Sequence, residues 1–201
     1  MWMRFDEGAG FSLWASSDRS SVTALNGIIV VGQVNTVSLP IIEFVRDEIY
    51  NRRADTTKYN IQKIIYTSTS GVYGDKKDKV VNESESIEPI TDRAKRRVDA
   101  ESQIESSGLN YTILRVPGIY GKGRLPMNRI KERLPLIKRD ICKHTNLIHV
   151  KDLARLIVAC IHNKASDMSI INVSDGSAIK TTDYYLHIYD LIGQPYPCLL
   201  Y

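Results

Sequence analysis

Ile64-Ile65-Tyr66-Thr67-Ser68-Thr69-Ser70-Gly71-Val72-Tyr73-Gly74 is the stretch on which the reading of this chain turns. Its opening, Ile64-Ile65-Tyr66, is an apolar run without alternation, which suits a strand covered on both faces, as in a parallel sheet. The run breaks into four consecutive hydroxyls, Thr67 to Ser70, and then a glycine. In open α/β sheets, ligands bind at the carboxyl ends of the strands, so hydroxyls gathered there are candidate ligand contacts. On this segment alone, a Ser/Thr turn capping the next element explains the same residues equally well.

Outward from that stretch, strand and helix patterns alternate. Strand patterns fall at 28–32, 61–67, 111–116 and 169–173. A helix is expected over 39–53, where Ile41, Ile42, Val45 and Ile49 recur at helical spacing. Another is expected over 91–107, with Thr91 as N-cap, Val98, Ile104 and alanines as its apolar positions, and Gly108 as its stop. Further helices are read at 151–163 and at 181–192, the last ended by Gly193. This alternation predicts an α/β fold with a doubly wound parallel sheet. The charged, turn-prone stretch 75–90 reads as a surface loop. Residues 122–146, rich in Arg and Lys with Pro126 and Pro135, suit a small substrate lobe together with 175–201. Residues 1–201 thus read as a single domain.

Bulk properties narrow the class. With 43% hydrophobic and 25% charged residues, the chain has the composition of an ordinary soluble globular protein. The formal net charge of +4 comes from basic residues spread along the sequence, a weaker footprint than a nucleic-acid binder concentrates, so no nucleic-acid partner is expected. Cys142, Cys160 and Cys198 are an odd number without metal-ligand spacing, which points to reduced thiols over a disulfide frame or zinc site. No stretch reads as a membrane span or a signal peptide, and the expected location is cytoplasmic.

Five segments taken together resemble the extended short-chain dehydrogenase/reductase family, the NAD-dependent epimerases and dehydratases, in an atypical branch. They are Thr67-Ser68-Thr69-Ser70-Gly71-Val72-Tyr73-Gly74, the helix from Thr91, Ile113-Leu114-Arg115-Val116-Pro117-Gly118-Ile119-Tyr120-Gly121, Leu147-Ile148-His149-Val150-Lys151-Asp152-Leu153-Ala154, and Ile171-Asn172-Val173-Ser174-Asp175-Gly176. The resemblance implies a Rossmann-like domain that binds NAD or NADP and acts on a nucleotide-sugar or small carbonyl or hydroxyl substrate. It places Thr69 as the group that orients substrate, and Thr67 and Ser68 at the nicotinamide. Val116, Pro117 and Gly118 become the backbone loop beside the nicotinamide amide, with Val31 and Gly32 as further cofactor contacts. It also implies a homodimer formed through helices 39–53 and 91–107.

Two departures from the family pattern shape the expected chemistry. Where the family has a tyrosine acid/base and, four residues on, a lysine, this chain aligns Arg93 and Arg97. The spacing keeps both on one helical face. A guanidinium remains protonated and cannot act as a general base, but it can hold a phosphate or carboxylate in forked geometry. The other reading of the pair is a solvated basic face with Lys95 and Arg96, paired with Glu101. The second departure is at the front. Gly8-Ala9-Gly10 has too few residues before it for a strand and is not a dinucleotide-binding turn. Asp18 to Leu25 is read instead as a short helix leading into the strand at 28, with 1–15 as a remnant. Relative to a complete member, on the order of sixty residues of the first βαβαβ half are expected to be absent.

The remaining candidates read as structural. Tyr73 fits a packed aromatic in the turn, His149 an orderer of the helix start with Asp152, and His144, His162 and His187 carry no partner pattern. Two functions follow from these expectations: an atypical NAD(P)-dependent epimerase, dehydratase or reductase, or a catalytically silent binder of nucleotide or partner protein.

Overall fold

A computed structural model of the protein describes residues 22–25, 28–31 and 63–200. The helix expected over 39–53, the segment 1–15 and Gly32 lie outside the described residues. Strands β1 (Val22–Leu25) and β2 (Ile28–Val31) pair antiparallel, Leu25 opposite Ile28. This corrects the helix expected over 18–25 at residues 22–25; residues 18–21 lie outside the described residues. The local sequence favours the hairpin, because Asn26-Gly27 between two apolar runs is the dipeptide preferred for a two-residue β connection.

Strand β3 (Lys63–Thr69) lies parallel to β2, with Ile29 beside Ile64 and Val31 beside Tyr66. It ends in a short 3-10 turn, Ser70–Tyr73. Helix α1 (Asp92–Glu105) follows, its Thr91 hydroxyl accepting from the Ala94 amide at 3.1 Å, and Gly108 behind it takes φ +73. Strand β4 (Tyr111–Val116) runs parallel to β3, and β5 (Gly118–Tyr120) continues past it. A short helix α2 (Met127–Lys131) and strands β6 (Leu136–Ile137), β7 (His144–Thr145) and β8 (Leu147–His149) come next. Helix α3 (Val150–His162), strand β9 (Ser169–Asn172), strand β10 (Ile179–Lys180), helix α4 (Thr181–Leu191) and strand β11 (Leu199–Leu200) complete the described chain.

The main sheet has the order β1-β2-β3-β4-β9, parallel throughout except at β1. Small pairs form outside it: β5 with β8, β7 with β10 and β6 with β11. The parallel strands explain the unalternating apolar runs. Ile65, Leu114 and Val116 point to α3, packing with Ile148, Leu153, Ile157, Cys160 and Val173. On the other face Ile64, Tyr66 and Ile113 are equally buried, on the side of α1. Each such aliphatic side chain removed from water contributes about 1.5–3 kcal/mol.

Polar groups are spent at both ends of β3. At its start the buried Lys63 ammonium donates to Asp167 (2.6 Å), the Ser166 hydroxyl (2.8 Å) and the Cys160 carbonyl (2.8 Å). That contact holds the Asp167 carboxyl below its ordinary pKa. At the other end, the face of α1 turned to the sheet is less apolar than its sequence suggested. Its buried residues are Ala94, Arg97, Ala100, Glu101 and Ile104, while Val98 is only half buried.

Candidate functional site

The carboxyl ends of β3 and β4 border a cavity of about 460 Å³. Three hydroxyl residues line it: Thr69 and Ser70 where β3 turns, and Thr91 at the cap of α1. Two arginines, Arg93 in the first turn of α1 and Arg124 beyond β5, add positive charge. Ala94, Pro117 and Ile119 supply apolar wall, and Gly71 and Gly118 bring backbone close. No Asp or Glu is among the described residues that line it.

Thr69 owes its position to the turn. Its Oγ1 accepts from the Gly71 amide at 3.2 Å and caps the 3-10 segment, as the plain turn reading required. A hydroxyl that accepts one bond keeps its own O–H as a donor, so the cap does not use up the group. Gly74, which ends the turn, has φ +72 and ψ −150, and a Cβ there would lie 2.2 Å from the Glu88 carbonyl oxygen. Only glycine fits that conformation and that space. Pro117 and Gly118 reach the cavity from β4 and β5, and β5 is held to β8 so tightly that a Cβ on Gly118 would meet Leu147 at 2.9 Å.

The remaining candidates are placed differently. Arg97 is 3% exposed, and its Nη1 donates to the Tyr66 hydroxyl at 2.8 Å, with the guanidinium 5.8 Å from that ring's centroid. Burial pushes the Tyr66 phenol up, and the adjacent Arg97 charge pulls it back in part. The Arg93/Arg97 pair is therefore split between cavity and interior: Arg93 is exposed and at the cavity, Arg97 is packed under the sheet end. Burial removes Arg97 from the expected solvated basic face, whereas Arg93 is exposed on it with Lys95 and Arg96. Thr67, Ser68 and Val116 are buried and are not among the cavity-lining residues. Val31 ends β2 beside Tyr66 of β3.

Ser68 instead opens a buried polar network. Its hydroxyl donates to the Glu101 carboxylate of α1. Glu101 also accepts from Arg115 of β4, from Nη2 at 2.7 Å and from Nε at 3.2 Å. Arg115 Nη1 donates to the Tyr73 hydroxyl at 2.8 Å, and Tyr73 donates in turn to Asn172 Oδ1 of β9 at 2.7 Å. Glu101 and Arg115 are each 2% exposed. For Arg115, burial alone would lower the pKa, but the bonds to Glu101 and Tyr73 outweigh it and hold the guanidinium above its ordinary value. The network ties the ends of β3, β4 and β9 and the helix α1 into one piece directly behind the cavity. The sequence places Arg115 in a family segment and offers Glu101 as a partner for the arginines of its own helix, whereas the structure pairs Glu101 with Arg115. The signal was available, because an arginine inside an apolar strand needs a buried anion.

His149 caps α3, its Nδ1 accepting from the Lys151 amide at 3.3 Å, and its ring meets Tyr120 edge-on at 5.2 Å. The stretch 75–90 is anchored to the rest of the protein. Asp75 pairs with Lys143 at 2.8 Å, and Asp78 accepts from the His144 amide and meets its ring Nδ1 at 2.7 Å. Glu83 accepts from the Asn172 amide at 2.7 Å. Among the described residues no group of His, Cys, Asp and Glu is arranged to hold a metal ion. Cys142, Cys160 and Cys198 are free thiols, and no described helix is long and apolar enough to cross a membrane.

This architecture has close counterparts. A conserved protein of unknown function from Silicibacter pomeroyi is 29% identical, with 80% of this chain and 55% of that one covered at a TM-score of 0.67. A candidate NAD-dependent epimerase/dehydratase from Methylobacillus flagellatus is 26% identical, with 78% and 56% covered at a TM-score of 0.63. At 19% identity, where the likeness speaks for fold alone, the UDP-glucuronic acid 4-epimerase of Bacillus cereus in complex with NAD superposes with a TM-score of 0.61 over 83% of this chain and 60% of that one. Among curated proteins, the chloroplast stem-loop binding protein of 41 kDa b of Arabidopsis thaliana is 30% identical over 126 residues, 57% of this chain and 32% of that protein. The chain thus spans about a third of that curated relative and just over half of the first two structures. Residues 46–164, more than half of the chain, match the family described as NAD(P)H-binding, and the protein belongs to that family, with NAD or NADP as its cofactor and the Rossmann-like fold of the epimerase/dehydratases.

Proposed function

We propose that this protein is an atypical NAD(P)-dependent epimerase, dehydratase or reductase acting on a nucleotide-sugar or a small carbonyl or hydroxyl substrate. One observation carries the reading: a cavity at the carboxyl ends of β3 and β4 that joins Thr69 and Arg93 to the Pro117-Gly118 backbone. The donor set fits a cofactor that presents ribose hydroxyls and an amide, since hydroxyls, backbone and guanidinium groups line the cavity and no described carboxylate repels a phosphate. A bound nicotinamide supplies two-electron hydride exchange with a substrate carbon.

The chain's own residues then have distinct tasks. Thr69, already fixed as an acceptor from Gly71, directs its O–H at a substrate oxygen. Arg93 cannot take a proton, but its positive charge stabilises negative charge developing on that oxygen. Arg97 and the Glu101–Arg115 network hold α1 against the strand ends and so set where Arg93 and Thr69 meet the ligand. Proton exchange at the substrate oxygen is left to solvent or to the substrate itself, because no His, Cys, Tyr, Lys, Asp or Glu is among the described lining residues.

The test is a calorimetric titration of the folded chain with NAD(H) and NADP(H), followed by nicotinamide absorbance with a panel of nucleotide-sugars and small carbonyl compounds. Micromolar binding with turnover that falls at least about tenfold in Thr69→Ala is expected if the hydroxyl orients substrate. Turnover unaffected by that substitution would remove Thr69 from the reaction.

A second reading, binding without turnover, is favoured by the Arg93/Arg97 replacement and by the charge of one segment. Residues 122–143 hold eight Lys or Arg and two acidic residues, more net positive charge than the whole chain's +4. Against the expectation of no nucleic-acid partner drawn from the chain-wide spread of charge, this local concentration and the name of the Arabidopsis relative, a stem-loop binding protein, make an RNA stem-loop the first partner to try. Salt-dependent RNA binding without nicotinamide turnover would establish this reading in place of the first.

A further inference from the structure

Residues 75–90 leave and rejoin the fold at the cavity itself. They follow the 3-10 turn whose Ser70 and Gly71 line it, and they end at Thr91, which lines it and caps α1. The neck of the segment is closed beside Gly74, where the Glu88 amide donates to the Val72 carbonyl at 3.0 Å. Lys76 stiffens the piece above the neck, donating to Ser86 (2.8 Å) and Glu88 (2.7 Å) with Glu85 at 3.4 Å. No residue of 75–90 is buried, and Val80, Ile87 and Ile90 are exposed, so packing does little to hold the segment in place.

Charge holds its outer end instead. Lys77 and Asp78 take φ values of +52 and +66, a backbone conformation unfavourable for residues other than glycine. That turn brings the carboxylates of Asp75 and Asp78 onto the start of β7. Asp75 meets the Lys143 ammonium with both oxygens, at 2.8 and 2.9 Å. Asp78 accepts from the His144 amide at 2.8 Å and meets the His144 ring at 2.7 Å. β7 belongs to the small lobe, since it pairs with β10, which runs into α4. A further bond, from the Asn172 amide to Glu83, ties the segment to the end of β9, where Asn172 also holds Tyr73. Few apolar contacts, a strained turn and separate polar anchors make an element that opens as a unit.

We propose that 75–90 is a clasp between the small lobe and the cavity, and that Asp75 and Asp78 are positioning residues. Through the clasp they hold the cavity-lining turns at Ser70-Gly71 and Thr91-Arg93 in the geometry that receives a ligand. Release from Lys143 and His144 frees the outer end, relaxes the Lys77-Asp78 turn and passes through the stiffened neck to both turns at once. The ligand half of the inference rests on the proposed reading of the cavity as a dinucleotide site, and the mechanical half does not.

The experiment compares the full chain with the double variant Asp75→Asn, Asp78→Asn, which removes both charges and keeps side chains that tolerate a left-handed turn. Amide hydrogen exchange is read in 75–90 and at two cavity caps, the Gly71 amide on Thr69 and the Ala94 amide on Thr91. Each exposed pair is worth up to about a fivefold shift in an equilibrium. Exchange in 75–90 should therefore rise about tenfold when both are lost, and Gly71 and Ala94 should follow by at least about threefold. High salt should move the same amides of the parent in the same direction. Exchanging partners, Asp75→Lys with Lys143→Asp, should return both regions toward the parent rates, while either change alone releases the clasp. A residue needed only for its own local structure gives no such rescue. NADH dissociation, followed by stopped-flow fluorescence, should speed up by at least about threefold in the Asn variant and stay near the parent rate in the exchanged pair. Faster exchange confined to 75–90, no change in either region, or no rescue would overturn the inference. NADH that leaves parent and variant at the same rate would overturn the positioning role. NADH that does not bind the parent would defeat the dinucleotide reading separately, because exchange at Gly71 and Ala94 is measured without it.

Discussion

Truncating Arg115 to alanine tests the buried network that backs the cavity. In the native protein, Glu101 receives hydrogen bonds from Ser68 and from two nitrogens of Arg115, and both ionic partners are 2% exposed. Removing the guanidinium leaves a carboxylate buried with a single hydroxyl donor, and deprives Tyr73 of the bond it accepts. Breaking one side of a pair this deep costs about 3–5 kcal/mol. Set against a total stability of about 5–15 kcal/mol, that is a large fraction. With a urea slope of about 2 kcal/mol/M, the unfolding midpoint should fall by roughly 1.5–2.5 M. The double replacement Glu101→Met with Arg115→Met removes both charges together and should recover most of the loss, since a buried pair and a well-packed apolar substitute are often close in stability. Urea unfolding followed by circular dichroism measures all three proteins. A midpoint shift below about 0.5 M for Arg115→Ala, or a double variant no better than the single one, would show that the pair is hydrated and that the strand ends do not depend on it.

Two further outcomes follow from the same geometry. Gly74→Ala should destabilise by about 3 kcal/mol or more, because its Cβ would fall 2.2 Å from the Glu88 carbonyl at a backbone conformation reserved for glycine; a thermal midpoint within a degree or two of the parent would contradict this. The contacts of 75–90 with Lys143 and His144 should be lost in acid. His144 holds the Asp78 carboxyl, and Lys143 the Asp75 carboxyl, below the ordinary carboxylate value. Groups with folded values lowered in this way contribute above the unfolded value near 4 and cease to contribute as pH falls through the depressed folded values. Hydrogen exchange in 75–90, corrected for its intrinsic pH dependence, should therefore stay level from neutrality to about pH 4 and rise below it. A rise already complete at pH 6 would place the anchorage elsewhere.

Much of the fold was legible because it is written in local chemistry. The hydroxyl cap of Thr91, the positive φ of Gly108 and Gly193 at helix ends, and the apolar run before Thr67 each act within a few residues. The same locality explains why residues 22–25 read as helix. A four-residue strand whose stability comes from pairing with Ile28–Val31 shows little of that in its own composition. At the site, sequence separation was the obstacle. Ser68 and Glu101 are 33 residues apart and Tyr73 and Asn172 are 99 apart, so no spacing rule connects them. The i, i+4 spacing of Arg93 and Arg97 indicated a shared face. It carried no information on depth, and depth puts one at the cavity and the other beneath Tyr66.

The polar pins at the two ends of β3 also answer a problem of alignment. A strand covered by apolar residues on both faces has little to fix its position along its neighbours, since Ile64 and Ile65 could exchange faces at small cost. Sliding β3 by one residue would carry Lys63 about 3.3 Å from Asp167 and turn Ser68 from Glu101 toward the apolar side of α3. Every such shifted arrangement strands the buried Lys63 ammonium at one end and withdraws the Ser68 donor from Glu101 at the other. The Lys63–Asp167 ion pair and the Ser68–Glu101 hydrogen bond therefore act as a vernier for the sheet: they add modest stability to the native alignment and penalise each neighbouring one, which keeps Thr69 at the cavity.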